Sequence, residues 1–300
     1  MDIAPHAGKL AIDSVCDGAS AAHNEDLVAV FEQDGMTDVL VIDGATSVAD
    51  IDYADPAQGD VTWFVHEFRR RLAPHLRRDR AQGDSALLAL ADVRAAYRAL
   101  AGEREVPAHA WPIAALTWLR FLPAGDGYTL HAWCVGDCKT LLFDGDASIH
   151  DLDPYVNPQE AILQAQVAKL AQAGIVDAAA RKAALLPMLR DRRVEQNMAP
   201  APTILCLAPQ GPIAARTLTV PLARGAAVIA MTDGFWRLVD PYRLLTAGEL
   251  ARRCLADGAA SVLAQLRAFE ADQGRADSLA VKRADDAAAA VCRVPLRLLS

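Results

Sequence analysis

The sequence predicts an α+β fold in which antiparallel sheets are set apart from the helices. Three observations carry this. Short apolar runs of strand length cluster towards both ends and the middle of the chain, with helical periodicity between them. Several runs are joined by Gly- and Asp-containing turns of hairpin length. The regular strand–helix–strand alternation of a parallel sheet is not in the pattern.

Taken in order, Leu10 to Cys16, Leu27 to Phe31 and Val39 to Ile42 read as short strands between turn residues. Val61 to Leu76 places Val61, Phe64, Val65, Phe68 and Leu72 on one helical face, and Ser85 to Leu100 has the same period. Ile113 to Leu122, Tyr128 to Val135 and Thr140 to Phe143 return to strands. Ala124-Gly125-Asp126-Gly127 and Gly136-Asp137 are expected to join these three as an antiparallel meander. Pro158 to Arg193 is rich in Ala, Gln and Arg and helical, with breaks expected near Gly174 and Pro187, and Ala199-Pro200-Ala201-Pro202 ends it. Strands resume at Thr203 to Leu207, Arg216 to Val220 and Ala227 to Met231. Thr246-Ala247-Gly248-Glu249 is a capping-box pattern that opens a helix. Ala260 to Glu270 forms another helix, and Val291 to Val294 closes the chain as a strand. No repeat or Gly/Ser linker interrupts it, so residues 1–300 read as a single domain.

Composition bounds the function. A hydrophobic fraction of 53% with 23% charged residues is that of an ordinary globular protein. The net charge of −8 argues against nucleic acid as a partner, because a phosphate backbone needs a basic footprint. Six cysteines occur without a CxxC motif, which fits free buried thiols in a reducing compartment. Cys134 and Cys138 lack the second ligand pair that a zinc site needs. Met1 to Lys9 carries no leader pattern and no apolar run reaches a membrane span, so a cytoplasmic protein without a membrane partner is expected.

Acidic residues punctuate the strand ends. Asn24-Glu25-Asp26 precedes one strand; Val39 to Ile42 ends in Asp43-Gly44; Ala226 to Met231 ends in Thr232-Asp233-Gly234; and Asp285-Asp286 opens the last apolar segment. Asp-Gly alone is weak evidence, since it is a common turn pair. Asp17-Gly18, Asp34-Gly35, Asp126-Gly127, Asp144-Gly145 and Asp257-Gly258 read as turns. Context separates the others. If their strands pair, Asp26, Asp43, Asp233 and Asp285 meet at one sheet end, where they would repel one another unless a cation intervenes. An all-oxygen donor set suits Mg²⁺ or Mn²⁺.

In this order, Asn24-Glu25-Asp26, Val41-Ile42-Asp43-Gly44, Val135-Gly136-Asp137, Met231 to Trp236 and Asp285-Asp286-Ala287 resemble the metal-dependent PPM (protein phosphatase 2C) family of serine/threonine phosphatases. The resemblance spans nearly the whole chain. It implies a four-layer α/β/β/α sandwich with a helical flap around residues 155–200 and a two-metal site between the sheets. Asp43 would bridge both ions, the Gly44 carbonyl would bind one, and Asp233 and Asp285 would complete the other. Glu25 and Asp26 would act mainly through water, and Asp137 matches the position of a third, weaker metal. Between Asp285 and Asp286, the family's pattern favours Asp285. The implied reaction is hydrolysis of phosphoserine or phosphothreonine in a phosphorylated protein by a metal-bridged hydroxide.

The departures concern substrate handling. Ala45-Thr46 stands where the family often has His-Gly, so the general acid is open; His23 is a candidate, against its being an ordinary surface histidine. Ser20-Ala21-Ala22-His23 offers no arginine to grip phosphate, Cys138 follows Gly136-Asp137 where Ser is usual, and Ala288 replaces a usual Thr. This suggests a divergent bacterial-type member. It leaves a catalytically weakened binding module and a small-molecule phosphatase as alternatives. Arg69, Arg70, Arg71, Arg77, Arg78 and Arg80 read as a solvated basic face, with docking of an acidic partner the sharper alternative. Phe235 and Trp236 read as core anchors of a short helix. Lys182, Arg190, Arg192 and Arg193 fall in the flap, where substrate contact and packing are both open.

Overall fold

The computed structural model describes residues 9–20, 23–145, 148–207, 211–273 and 284–296. Residues 1–8, most of the stretch read for a leader, and the Ala21-Ala22 pair lie outside the described residues. Two antiparallel sheets pack face to face. The first runs β1 (Ala11–Asp17), β11 (Ala287–Arg293), β10 (Ala227–Met231), β6 (Lys139–Phe143) and β7 (Ile149–Asp151), in that spatial order. The second runs β2 (Asp26–Gln33), β3 (Met36–Gly44), β4 (Ile113–Ala124), β5 (Gly127–Val135) and β9 (Arg216–Leu222), with the two-residue β8 (Leu205–Cys206) beside β4.

Strand alternation divides the core into layers. In β3, Val39 and Val41 face the other sheet, where they meet Val228, Ala230, Ala290 and Cys292. Leu40 and Ile42 face outwards onto α1 (Asp60–Leu72) and α2 (Gln82–Ala101). Ile229 and Met231 of β10 face outwards onto α6 (Ala247–Asp257) and α7 (Ala259–Gln273). The layers are therefore α/β/β/α, as expected. Phe64, Phe68 and Leu72 of α1 are fully buried, and such side chains contribute roughly 1.5–3 kcal/mol each. The capping box at Thr246–Glu249 forms as the sequence predicts.

Three local expectations need correction, and one short strand was not foreseen. β5 and β6 do not continue one meander: β5 pairs with β9, β6 pairs with β10, and Gly136-Asp137 carries the chain from one sheet to the other. A Gly-Asp pair marks a reversal without saying which sheet receives the next strand. β11 begins at Ala287, earlier than read, because its alanines have little strand propensity yet are fully buried. β7, only Ile-His-Asp, left no periodic signal. Finally, α3 (Pro158–Gln172) ends before Gly174 as expected, but α4 (Ala178–Met198) runs through Pro187. An interior proline forfeits a helix hydrogen bond. Tertiary anchors hold this helix instead, including Asn197 Nδ2, which donates to the carbonyls of Ala108 (2.9 Å) and Trp111 (3.0 Å).

The basic run is partly consumed within the fold. Arg70 and Arg71 pair with Glu67, and the Arg77 and Arg80 carbonyls accept from buried Arg120. Cys134, Cys138, Cys206, Cys254 and Cys292 are buried free thiols, whereas Cys16 is exposed. No helix among the described residues is long and apolar enough to cross a membrane.

Candidate metal centre

The apolar rows between the sheets end in polar side chains. Two residues beyond Val41 on the same face of β3 is Asp43, and directly opposite it on β2 is Asp26. Two residues beyond Ala230 is Thr232, and two before Ala288 is Asp286. Thr232 Oγ1 donates to Asp26 Oδ2 at 2.7 Å, which ties the two sheets together at this end. Asp26 is 4% exposed and Thr232 is sealed.

These carboxylates disturb one another. Burial pushes Asp26 well above the ordinary aspartate range; the Thr232 hydroxyl opposes this, and the charges of Asp233, Asp286 and Asp285 add to it. Asp43 is also pushed well up, first by burial and then by Asp233, Asp26, Asp137 and Asp285. The backbone N–H of Asp233 points at Asp43 Oδ2 from 3.4 Å.

Backbone geometry sets the remaining positions. Gly44 donates its N–H to the Glu25 carbonyl at 3.0 Å, and a Cβ on Gly44 would come within 2.6 Å of that oxygen. At Gly234 a Cβ would collide with the Asp286 carbonyl, so only glycine lets α5 (Asp233–Trp236) lie against the lead-in to β11. Fully buried Phe235 anchors that turn. Asp285 and Asp286 precede β11 rather than open it, and they have separate environments. Asp286 accepts the N–H groups of Ala19 (2.7 Å) and Glu25 (2.6 Å). Asp285 lines a cleft, with Arg237 Nη1 3.8 Å from its Oδ2.

That cleft, of about 530 Å³, brings Asp43, Gly44, Asp137, Asp233 and Asp285 together in its walls. Glu25 and Asp26 are not in its walls. The Glu25 carboxylate accepts from the Thr46 hydroxyl at 2.7 Å, so Thr46 of the divergent Ala45-Thr46 pair supports an acidic residue. Asp137, on the sheet-to-sheet crossover, accepts from Asn157 Nδ2 at 2.8 Å. Arg216 steadies the same crossover through the Gly136 carbonyl (2.7 Å) and Asp153.

Helices α3 and α4, with the loop after Gly44, supply most of the remaining cleft wall. Arg190 donates to the Val48 carbonyl (2.8 Å) and pairs with Asp50, and Arg193 donates to the carbonyls of Ala45 and Thr46. These contacts fasten α4 to the loop that follows Asp43-Gly44. Burial lowers Arg193 to about 10. Arg192 Nη2 donates to Asn157 Oδ1 at 3.2 Å, while its Nε is buried without a partner. Burial lowers its pKa and the nearby charge of Asp137 opposes that. Arg181 and Lys182 also line the cleft. His23 is exposed, sits 3.2 Å from the Gln58 carbonyl through Nδ1, and is not in the cleft walls.

Thr232, Asn157 and Arg181 were missed at the sequence level. Thr232 had a signal, since it continues the inward-facing row of β10. Asn157 had none, because its relation to the acidic cluster is tertiary, and Arg181, far along the cleft from that cluster, had none either.

The donor set is carboxylate and carbonyl oxygen, which fits a hard divalent cation. Unneutralised, the charges of Asp233, Asp26, Asp137 and Asp285 add to burial in holding Asp43 well above the ordinary aspartate range. Among the described residues, no three His, Cys, Asp or Glu side chains stand close enough to grip one cation as they are.

No family model and no curated protein matches the sequence. Solved structures do match in three dimensions. A serine/threonine phosphatase from S. agalactiae superposes with a TM-score of 0.55 at 13% identity, covering 95% of this chain and 100% of that one. The PPM Ser-Thr phosphatase MsPP from Mycobacterium smegmatis, in complex with cacodylate, gives 0.50 at 12% identity over 96% and 99%. The catalytic domain of the serine/threonine phosphatase PstP, in complex with two manganese ions, gives 0.50 at 14% identity over 95% and 98%. Each likeness covers nearly the whole of both chains, and the chain has the fold of the PPM-type serine/threonine phosphatases.

Proposed function

We propose that this protein is a divalent-cation-dependent phosphatase that hydrolyses phosphoserine or phosphothreonine in proteins. One observation carries the reading: Asp43, Asp137, Asp233 and Asp285, from four separate segments, line one cleft on a phosphatase fold. Asp43, the Gly44 carbonyl, Asp233 and Asp285 are the residues that would hold two ions, Mg²⁺ or Mn²⁺, with Asp137 available for a third; PstP, a structural neighbour, holds two manganese ions. Such ions would supply positive charge for the phosphoryl oxygens and a more acidic water at neutral pH.

The chain's own residues prepare the site. Thr232 fixes the Asp26 carboxylate, and Thr46 fixes that of Glu25. Asp286 holds the Glu25 backbone, and Asn157 orients Asp137. The roof formed by α4 excludes bulk water from one side of the cleft, so charges inside it act more strongly than in open solvent.

The test is hydrolysis of p-nitrophenyl phosphate and of phosphoserine peptides with Mn²⁺, alongside calorimetric Mn²⁺ titration. We expect turnover that chelator abolishes and that Asp43→Asn or Asp233→Asn removes. Full activity in excess chelator overturns the cation dependence. Mn²⁺ heat without turnover on any phosphoester indicates a binding module instead.

A further inference from the structure

The cleft has a second charged end that the acidic cluster does not use. On α4, Arg181, Leu185, Leu189 and Arg192 recur at helical spacing, and all four line the cleft. Arg192 lies near Asp137. Eleven residues along the helix, about 16 Å at 1.5 Å per residue, lies Arg181, with Lys182 beside it. Aliphatic Leu185, Leu186 and Leu189 occupy the length between.

Arg181 is as buried as Arg193, both being 7% exposed. Arg193 spends its guanidinium on two backbone carbonyls. Arg181 has no hydrogen bond or ion pair from its guanidinium among the described residues. The nearest acid in sequence, Asp177, is committed to the helix cap, accepting the Ala180 N–H at 2.8 Å. None of the Arg181 side-chain nitrogens is a fully buried unpartnered atom, so the guanidinium opens onto the cleft that Arg181 lines.

We propose that Arg181, assisted by Lys182, is an anion subsite that recognises a second negative group on the substrate. This rests on the phosphatase reading for the identity of the first group, the scissile phosphate at the carboxylate end. The substrate is then a phosphoserine or phosphothreonine peptide with an acidic side chain about five residues away, at ~3.3 Å per extended residue, and apolar residues between. Arg181 is a specificity residue and touches no reacting atom.

The test compares two phosphoserine peptides with aliphatic intervening residues. One carries Glu five positions from the phosphoserine, on either side in turn, and the other carries Gln there. The wild-type chain with Mn²⁺ is expected to show a KM about tenfold lower for a Glu peptide, which is the scale of one charge-assisted contact. Arg181→Gln is expected to erase that difference and leave p-nitrophenyl phosphate turnover unchanged.

Equal KM values for the Glu and Gln peptides in the wild type overturn the proposal. So does an Arg181→Gln variant that loses activity on every substrate alike. Stabilisation of the wild type but not the variant by inorganic sulfate, without any peptide preference, assigns the subsite to a free anion and overturns its role in the substrate. Should the wild type hydrolyse neither substrate class, the phosphatase reading fails by itself. Calorimetric affinities for the same peptides then decide the subsite, with equal affinity for Glu and Gln forms counting against it.

Discussion

The Thr232 hydroxyl reaches across the interface between the two sheets and donates to the Asp26 carboxylate at 2.7 Å. Thr232 follows β10 of one sheet, and Asp26 opens β2 of the other. Replacing the hydroxyl by a methyl group in Thr232→Val keeps the shape and leaves a buried carboxyl without its donor. The expected loss is about 1–3 kcal/mol of unfolding free energy, measured by urea titration of the cation-free protein, with little change in the slope. Unchanged stability would show that Asp26 finds another donor.

Stability without divalent cations should fall as pH rises. Burial and neighbouring carboxylates raise Asp26 and Asp43 in the folded chain, whereas both return towards the ordinary value of 3.8 when it unfolds. The unfolded chain therefore gives up these protons first, and ionisation works against the fold. The favourable contribution is complete below about 3.8 and declines as pH climbs through the raised folded values. Thermal melts across this range in chelator should show the decline, and Mn²⁺ should flatten it by stabilising the ionised forms. The opposite slope in chelator would contradict the crowding of these groups.

Asp285→Asn and Asp286→Asn should separate. Asp286 accepts two backbone N–H groups, and hydrogen bonds to a charged group contribute about 1.5–3 kcal/mol each. Its replacement is expected to lower stability clearly. Asp285 lines the cleft, and its replacement should weaken Mn²⁺ binding about tenfold or more with a smaller effect on the melt. Calorimetry and differential scanning of both variants provide the comparison, and reversed roles would exchange the two assignments.

A control lies far from the cleft. Asp38 and Arg120 form a buried pair, 0% and 4% exposed, with the Trp118 indole also donating to Asp38. Arg120→Met leaves Asp38 uncompensated and should cost about 3–5 kcal/mol. The double change Asp38→Leu with Arg120→Met should recover much of that. Cation affinity per folded molecule should be unaffected, since neither residue lines the cleft.

Much of the acidic cluster was legible because strand periodicity writes it into the sequence. Val39, Val41 and Asp43 lie on one face, so an apolar run ending in Asp-Gly already says that a carboxylate closes an inward row. Asp144-Gly145 shows the limit of that signal: the same dipeptide after the apolar strand β6 turns the chain towards β7. Short-range pattern also could not say that Gly136-Asp137 changes sheet. The alanines of β11 concealed a central strand, because burial on both faces, rather than propensity, holds it. The arginines of α4 were visible as charges, but their division into clamp residues (Arg190, Arg193) and one without a hydrogen-bond partner among the described residues (Arg181) depends on contacts with segments up to 148 positions away in the chain.

The fastening of α4 to the loop after Asp43-Gly44 sets the order in which this fold would come apart under heat. Two arginines stitch a helix from the middle of the sequence to the backbone beside the first acidic strand end, while the sheets rely on their own interior. If the helix detaches, the cleft loses its ceiling and the loop loses its brace before either sheet has opened. Inactivation should therefore run ahead of melting, and a chain warmed to that interval and cooled again should regain activity without refolding its core.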